Sequence, residues 1–507
     1  MALLLCLLPA AGHDQMWLLY AAGLVQHGTR LYGPHLFESN PPLIVWLSMI
    51  PDWIAGVLHL SATAVAKALV IVVEAAVWLV CRGLWSRLLP DRSRGLWWKL
   101  GFAYIAIFAV LPARDFGQRD QLLAILCLPY LLTSAVDMDG GRLPAAFLAG
   151  IGCLAGVGFS LKPHHLLVPA AIETTLLWWR FSGRRSAQRL LRPEAIAIAA
   201  TCAAYYAAIR TLTPEYVSQV LPVLRDTYWA IGHLSLLQST LASVQLTVLA
   251  AAALGVHLAN RCSNVNAATR IFLIAGFASL AAYYLQGTGW YYQQIPALSF
   301  FAFALWLELL DWSSRCRWSL PKYTPAVAAG MSALALVLAA YFSGYRLSHP
   351  LTFPSGLSDT PDPAFFAGLP PGTPVAILTT EVDDSVPPVY LHHFVWAQRE
   401  NNLWTLPAIL RNEDPASPLG PRHRIPPHRL AALDRMQHQW MSEDFEYWRP
   451  RLVLIERCQD PAVHCQILED RHDNLLAWFL RDPRFQEIFS RYHYLRSSGP
   501  FDAYVPN

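Results

Sequence analysis

The chain has 507 residues, 54% of them hydrophobic and 14% charged, with a mean hydropathy of +0.31. A soluble domain carries about 25% charged residues, so this composition argues against a soluble protein and describes a polytopic membrane protein with a soluble appendage. The formal net charge of +3 is small. The arginines sit in short loops between apolar runs rather than along one soluble face, which argues against nucleic-acid binding.

In chain order, residues 1–11, MALLLCLLPAA, come first. The run is too short to span, since a crossing needs about 20 residues. It lacks the basic start and small-residue cleavage site of a secretory signal. We expect the end of a first transmembrane helix whose start is missing or mis-assigned. After His13-Asp14-Gln15, the stretch MWLLYAAGLVQHG is short and amphipathic, with Trp17 and Tyr20 suited to the membrane interface. PPLIVWLSMIPDWIAGVLHL reads as a second interfacial helix, started by a proline that needs no amide donor there. Ten further apolar segments follow, near 62–81, 97–112, 121–136, 144–161, 165–179, 193–212, 241–259, 270–286, 295–311 and 323–343. Each is expected to be helical, because lipid offers the backbone no hydrogen-bond partner. The predicted fold class is an all-α polytopic bundle of about 11 transmembrane helices with juxtamembrane helices.

Cations set the expected sidedness. One group of loops holds Arg82, Arg87, Arg92, Arg94 and Lys99; Arg180, Arg184, Arg185, Arg189 and Arg192; Arg261 and Arg270; and Arg315, Arg317 and Lys322. If eleven spans alternate, all of these fall on one side, which the positive-inside rule makes cytoplasmic. Asp14, Asn40, Asp115, Asp120, Lys162, the loop around Trp290 and everything after Gly344 then lie outside.

The expected domains are a membrane domain over 1–344 and an extracytoplasmic α/β domain over 345–507. In the tail, VAILTT and RLVLIE are short β-branched runs bounded by proline and charge, and read as buried strands. RLAALDRMQHQWMSEDFEYW between them has helical spacing, and the C-terminal segment is expected to close the domain with a helix and a hairpin or edge strand. Among nine cysteines only Cys458 and Cys465 share a soluble segment. Outside the cytoplasm they are disulfide candidates.

The polar residues of the outer loops are the chemical candidates. They are His13, Asp14 and Gln15; Asn40 before its prolines; Arg114, Asp115, Gln118, Arg119 and Asp120 in ARDFGQRDQL; Lys162, His164 and His165 in SLKPHHL; and Gln286, Trp290, Tyr291, Tyr292 and Gln293 in QGTGWYYQQ. Two aspartates and two arginines in seven residues at a helix mouth suggest a site rather than a solvated surface.

This order of motifs resembles the GT-C glycosyltransferases, the superfamily of the protein O-mannosyltransferases and the aminoarabinose transferase of lipid A. In that superfamily an acidic residue follows the first span, then come a juxtamembrane helix, Pro-Pro-Leu, a loop carboxylate and a late aromatic outer loop. Here those places hold Asp14, Asn40-Pro41-Pro42-Leu43, Asp115 with Asp120, and Trp290 to Gln293. FGQRDQL and LKPH look like motifs of one bacterial branch, and the resemblance covers roughly residues 1–345. It implies inverting transfer of a sugar from a polyprenyl-phosphate donor to a glycan, lipid or protein acceptor, at the outer face of the bacterial inner membrane.

The implied roles follow the chemistry. Asp14 takes the proton of the acceptor hydroxyl as general base. Asp115 or Asp120 shapes the acceptor side or orients Arg119. Arg119 and Lys162, with His164, meet the charge that grows on the leaving phosphate. Gln15, Asn40, Gln118, Trp290 and Tyr291 line the substrates. A lysine often precedes Pro-Pro-Leu in the aminoarabinose transferases, so Asn40 departs from the pattern and removes one phosphate contact. Asp14 with Asp115 or Asp120 offers hard oxygen ligands for a divalent ion, but the mannosyltransferase type uses none and no cofactor is expected. Two other classes fit the same loops less well. A lipid-glycan flippase would show repeated halves and polar residues at mid-membrane, and a non-catalytic scaffold would not need eleven spans.

Overall fold

The computed structural model describes residues 11–89, 94–184, 192–232, 234–260, 266–315, 361–469 and 471–507. The initial apolar run apart from Ala11, the segment 323–343, and the cations Arg92, Arg185, Arg189, Arg261, Arg317 and Lys322 lie outside them.

The helices of the first 315 residues are α1 (His13–Gln26), α2 (Pro42–Leu58), α3 (Ala62–Leu88), α4 (Arg94–Tyr104), α5 (Arg119–Met138), α6 (Ala145–Leu161), α7 (Leu167–Trp179), α8 (Pro193–Leu212), α9 (Leu221–Thr227), α10 (Leu236–Ala242), α11 (Val244–Ala259), α12 (Asn266–Gln286) and α13 (Ile295–Arg315). Every apolar segment drawn between 62 and 311 falls on one or two of them. Among the described residues five helices are long and apolar enough to cross a membrane: Ala62–Leu88, Arg119–Met138, Pro193–Leu212, Ala267–Gln286 and Tyr291–Trp312. Helices α10 and α11 add a sixth if they count as one span, because the chain bends by 86° between them. Pro42–Leu58, Leu96–Val110 and Ala145–Leu161 are apolar but shorter. Leu79, Trp98, Phe102 and Leu285 stand exposed on these helices, a surface suited to lipid rather than water. The chain is a helical membrane protein.

It divides into two compact units. The first comprises Met1–Ala11, Ala64–Ala207 and Leu234–Leu351. Its central element is α5, where every residue except Leu122 and Asp137 is buried. Helix α6 approaches its neighbours through glycine. A Cβ added at Gly152 would lie 2.5 Å from the Glu194 carbonyl oxygen, and one at Gly156 would lie 2.7 Å from the Thr201 Cβ. The four-residue spacing is the small-residue pattern that lets membrane helices pack backbone to backbone, here α6 on α8. Trp85, Phe108, Phe272, Phe300 and Phe303 fill the core between α3, α12 and α13.

The second unit comprises Gly12–Thr63, Ala208–His233 and Thr352–Asn507, so α1 and α2 cluster with the tail. Its remaining elements are β1 (Pro374–Leu378), α14 (Val382–Leu391), β2 (Val395–Trp396), α15 (Leu406–Glu413), α16 (Pro427–Trp448), β3 (Leu452–Glu456), α17 (Leu475–Phe479), α18 (Pro483–Phe489), β4 (Tyr492–Ser498) and β5 (Phe501–Pro506). The sheet order is β2-β1-β3-β5-β4. Strands β2, β1 and β3 run parallel, and the β4–β5 hairpin joins antiparallel to β3. All five residues of β3 are buried, as expected for an apolar run covered on both faces. Cys458 and Cys465, just beyond β3, form a disulfide with Cα atoms 5.6 Å apart. The loop before α2 is tied to the tail through its backbone, the Phe37 amide donating to the Arg399 carbonyl at 2.7 Å.

Candidate functional site

Two groups of predicted site residues come together, one in each unit. In the second unit the group begins at the start of α1. Gly12 caps this helix without a side chain, leaving Asp14 in its first turn. Unpaired amides and the helix dipole favour a carboxylate there. Asp14 keeps 19% of its side-chain surface exposed and lies 3.4 Å from His13 Nε2. The other ring nitrogen, Nδ1, is 2.5 Å from Asp383 Oδ1 at the start of α14. His13 therefore bridges two carboxylates. Burial works against its charged form, but Asp14 by charge and hydrogen bond, and then Asp383, outweigh it and raise its pKa well above the ordinary value. The imidazolium donates from both nitrogens.

Asn40 is held by a different residue. Glu38 is 1% exposed. It accepts from the Trp17 indole N–H, from the Asn40 backbone N–H at 2.7 Å and from the Asn40 side-chain amide at 2.7 Å. The Tyr32 hydroxyl donates to the Asn40 carbonyl at 2.6 Å. Asn40 is thus fixed on both its backbone and its side chain. Gln15 has a buried side-chain carbonyl oxygen with no hydrogen-bond partner among the described residues.

In the first unit the group gathers around Asp120, which is completely buried in the first turn of α5. Lys162 Nζ lies 3.4 Å from Asp120 Oδ2, and His165 Nε2 lies 3.9 Å from Oδ1. Lys162 also donates to Gln286 Oε1 at 3.2 Å and stands 5.1 Å above the Tyr292 ring centroid. Residues from α5, the end of α6, α12 and the late loop thus meet at one buried cation. Burial first, then Lys162 and His164, push the His165 pKa down to about 3, so this imidazole is neutral. His164, the histidine expected at the donor phosphate, is exposed, and its neighbour His165 faces Asp120 instead.

Arg119, Gln118 and Asp115 are all buried beside Asp120 in sequence. Gln118 is the N-cap residue of α5, and Asp115 ends a short 3-10 turn. Trp290 is half-buried, its ring 5.7 Å from that of Tyr292. Tyr291 is buried and its hydroxyl donates to the Leu111 carbonyl at 2.8 Å, which ties it to the chain just before the Asp115 turn. Among the described residues one cluster has three side chains of metal-ligating type, Glu456 with Cys458 and Cys465. Its two sulfurs are joined to each other, so it is no metal site.

Some of these residues were passed over in the sequence. Glu38 carried a signal, an acid two positions before Asn-Pro-Pro. Glu74 and Lys67 lie buried within the apolar run of α3, and an ionisable residue inside a span is a functional candidate by default. Glu74 accepts from Gln121 at 3.0 Å. Asp383 carried no signal, being 370 positions from its partner.

No family model matches the chain, and no curated protein matches it. Among solved structures it is similar to ArnT from Cupriavidus metallidurans bound to undecaprenyl phosphate, with a TM-score of 0.52 and 12% identity, over 99% of this chain and 96% of that one. The mycobacterial arabinofuranosyltransferase AftD is a further match, with a TM-score of 0.46 and 14% identity, over 100% of this chain and 39% of that chain. The likeness to ArnT establishes the fold. This chain shares the fold of ArnT along nearly its whole length.

Proposed function

We propose that the protein is an inverting glycosyltransferase of the bacterial inner membrane, moving a sugar from a polyprenyl phosphate to an envelope glycan, lipid or protein acceptor at the outer face. The observation that carries this reading is Asp14, a partly exposed carboxylate at a helix start, ion-paired to His13, in a chain of GT-C fold. An acceptor hydroxyl is a poor nucleophile until its proton leaves, and a carboxylate placed to take that proton lowers the barrier. Phosphate is already a good leaving group, so the second requirement is positive charge rather than a second acid. Lys162, with Arg119, supplies it in this reading. Eleven spans, a membrane domain to residue 344, a C-terminal domain outside the cytoplasm and activity without a metal complete the proposal. ArnT was solved with undecaprenyl phosphate, and a lipid of that class is the donor carrier we assign here.

The test is mass spectrometry of envelope glycans and lipid carriers in a deletion strain complemented with variants. The wild-type chain should restore a missing glycan residue and clear an accumulated carrier. Asp14→Asn should fail to do so, its transfer lowered by about 100-fold or more, and Arg119→Ala with Lys162→Ala should lose donor binding. Full complementation by Asp14→Asn would remove Asp14 as base, and an unchanged envelope in the deletion strain would remove the enzyme reading.

A further inference from the structure

The structure points to a part for the C-terminal region in the chemistry itself. Helix α1 is docked on the tail by apolar and polar contacts together. Trp17 and Tyr20 face Val386, Val389, Tyr390 and Trp396, and the Trp396 amide donates to the Tyr20 hydroxyl at 2.9 Å. These contacts fix the rotation of α1. At its exposed end they bring His13 to Asp383, the second residue of α14.

We propose that Asp383 is a positioning residue for Asp14, acting through His13; this inference rests on the glycosyltransferase reading above. The geometry is a carboxylate–imidazole–carboxylate line. Asp383 accepts from Nδ1 of His13 and so fixes the ring plane, and Nε2 then points at Asp14. The raised pKa of His13 keeps both nitrogens protonated. A charged partner with a fixed ring holds the Asp14 carboxylate in one orientation. Hydrogen-bonded supports of this kind set how precisely a reacting group is held. Without Asp383 the imidazole is free to turn, and Asp14 loses its fixed neighbour while keeping its place on α1. The tail is then a working part of the site and not only a soluble appendage.

The test uses the full-length chain. Transfer is read by the complementation assay, and donor-lipid binding by native mass spectrometry of the purified protein with undecaprenyl phosphate. Asp383→Ala and Asp383→Asn should each lower transfer by about tenfold or more, with undecaprenyl phosphate bound as in wild type and the melting temperature kept within about 3 °C. Asp383→Glu should restore most of the loss. His13→Ala should lower transfer similarly, and adding Asp383→Ala to it should cost nothing further, because two residues acting in one line are not additive. Wild-type transfer by Asp383→Ala, losses that multiply in the double variant, no rescue by glutamate, or a parallel loss of lipid binding or stability each overturn the inference. The two readings separate cleanly. An active Asp14→Asn sinks the base, whereas an inactive Asp14→Asn beside an active Asp383→Ala sinks only the positioning role.

Discussion

Removing the Glu38 carboxylate is expected to be among the most damaging single changes in the segment before α2. Glu38 is 1% exposed and receives the Trp17 indole N–H and two N–H groups of Asn40. In Glu38→Ala the buried Trp17 indole and the half-buried Asn40 amide both lose this acceptor. An unpaired buried donor costs about 1–3 kcal/mol, so loss of the indole's acceptor alone should cost about that much. Glu38→Gln keeps the shape but offers one oxygen where the carboxylate offered two. Its amide must face either the indole or Asn40, donor against donor, at a cost of about 1–3 kcal/mol. Replacing Trp17 by Phe removes one of the competing donors, so Trp17→Phe with Glu38→Gln should cost less than the two single changes added together. The assay is thermal unfolding of the purified protein in detergent, with limited proteolysis of residues 27–41 as the local readout. A Glu38→Ala protein as stable and as protease-resistant as wild type, or a double variant whose costs simply add, would refute the reasoning.

Three further outcomes follow from packing and charge. The Cys458–Cys465 disulfide closes a loop with a sequence separation of 7, for which chain entropy gives about 2.5 kcal/mol. Cys458→Ser with Cys465→Ser should therefore lower the thermal stability of the tail by about that much and speed its proteolysis. On α6, Gly152→Ala places a methyl 2.5 Å from the Glu194 carbonyl oxygen and should cost about 1–3 kcal/mol by overpacking. Gly150→Ala meets nothing within 4 Å and should be neutral or slightly stabilising in the same melting assay. The folded pKa of His13 is raised above its unfolded value. Its contribution to holding α1 on the tail is therefore fully present below about pH 6.5 and is lost as pH rises through the folded value. Hydrogen exchange in α1 should speed up across that rise in wild type but not in His13→Gln, and equal pH slopes in the two would contradict the assignment.

The helices were legible in the sequence because lipid imposes one solution on a long apolar run, and α3 to α8 and α11 to α13 fall where those runs lie. In the tail, β1 and β3 fall on VAILTT and RLVLIE for a similar reason, as buried strands read as unbroken apolar runs. Strand β2 is two residues long, Val395–Trp396, and two residues carry no period. The candidate site was legible only in part. Asp120, Lys162 and Gln286 each stood out as polar groups at the edge of an apolar run, and their meeting needs only that neighbouring helix mouths be adjacent. The partners of Asp14 and Asn40 obey no such rule. Glu38 reads as an ordinary loop acid until Trp17 and Asn40 are seen to converge on it. Asp383 reads as one of two acids opening a helix in a soluble domain, a place the helix dipole explains without any site. The further part we propose for it rests on the docking of α1 on α14 and β2 through Trp17, Tyr20 and Trp396. That docking depends on side-chain shape across hundreds of positions, which a single sequence does not record. The residues we propose for the chemistry are thus easier to read than those we propose as their supports. A reactive carboxylate is conspicuous in an apolar chain, whereas its support looks like any other surface acid.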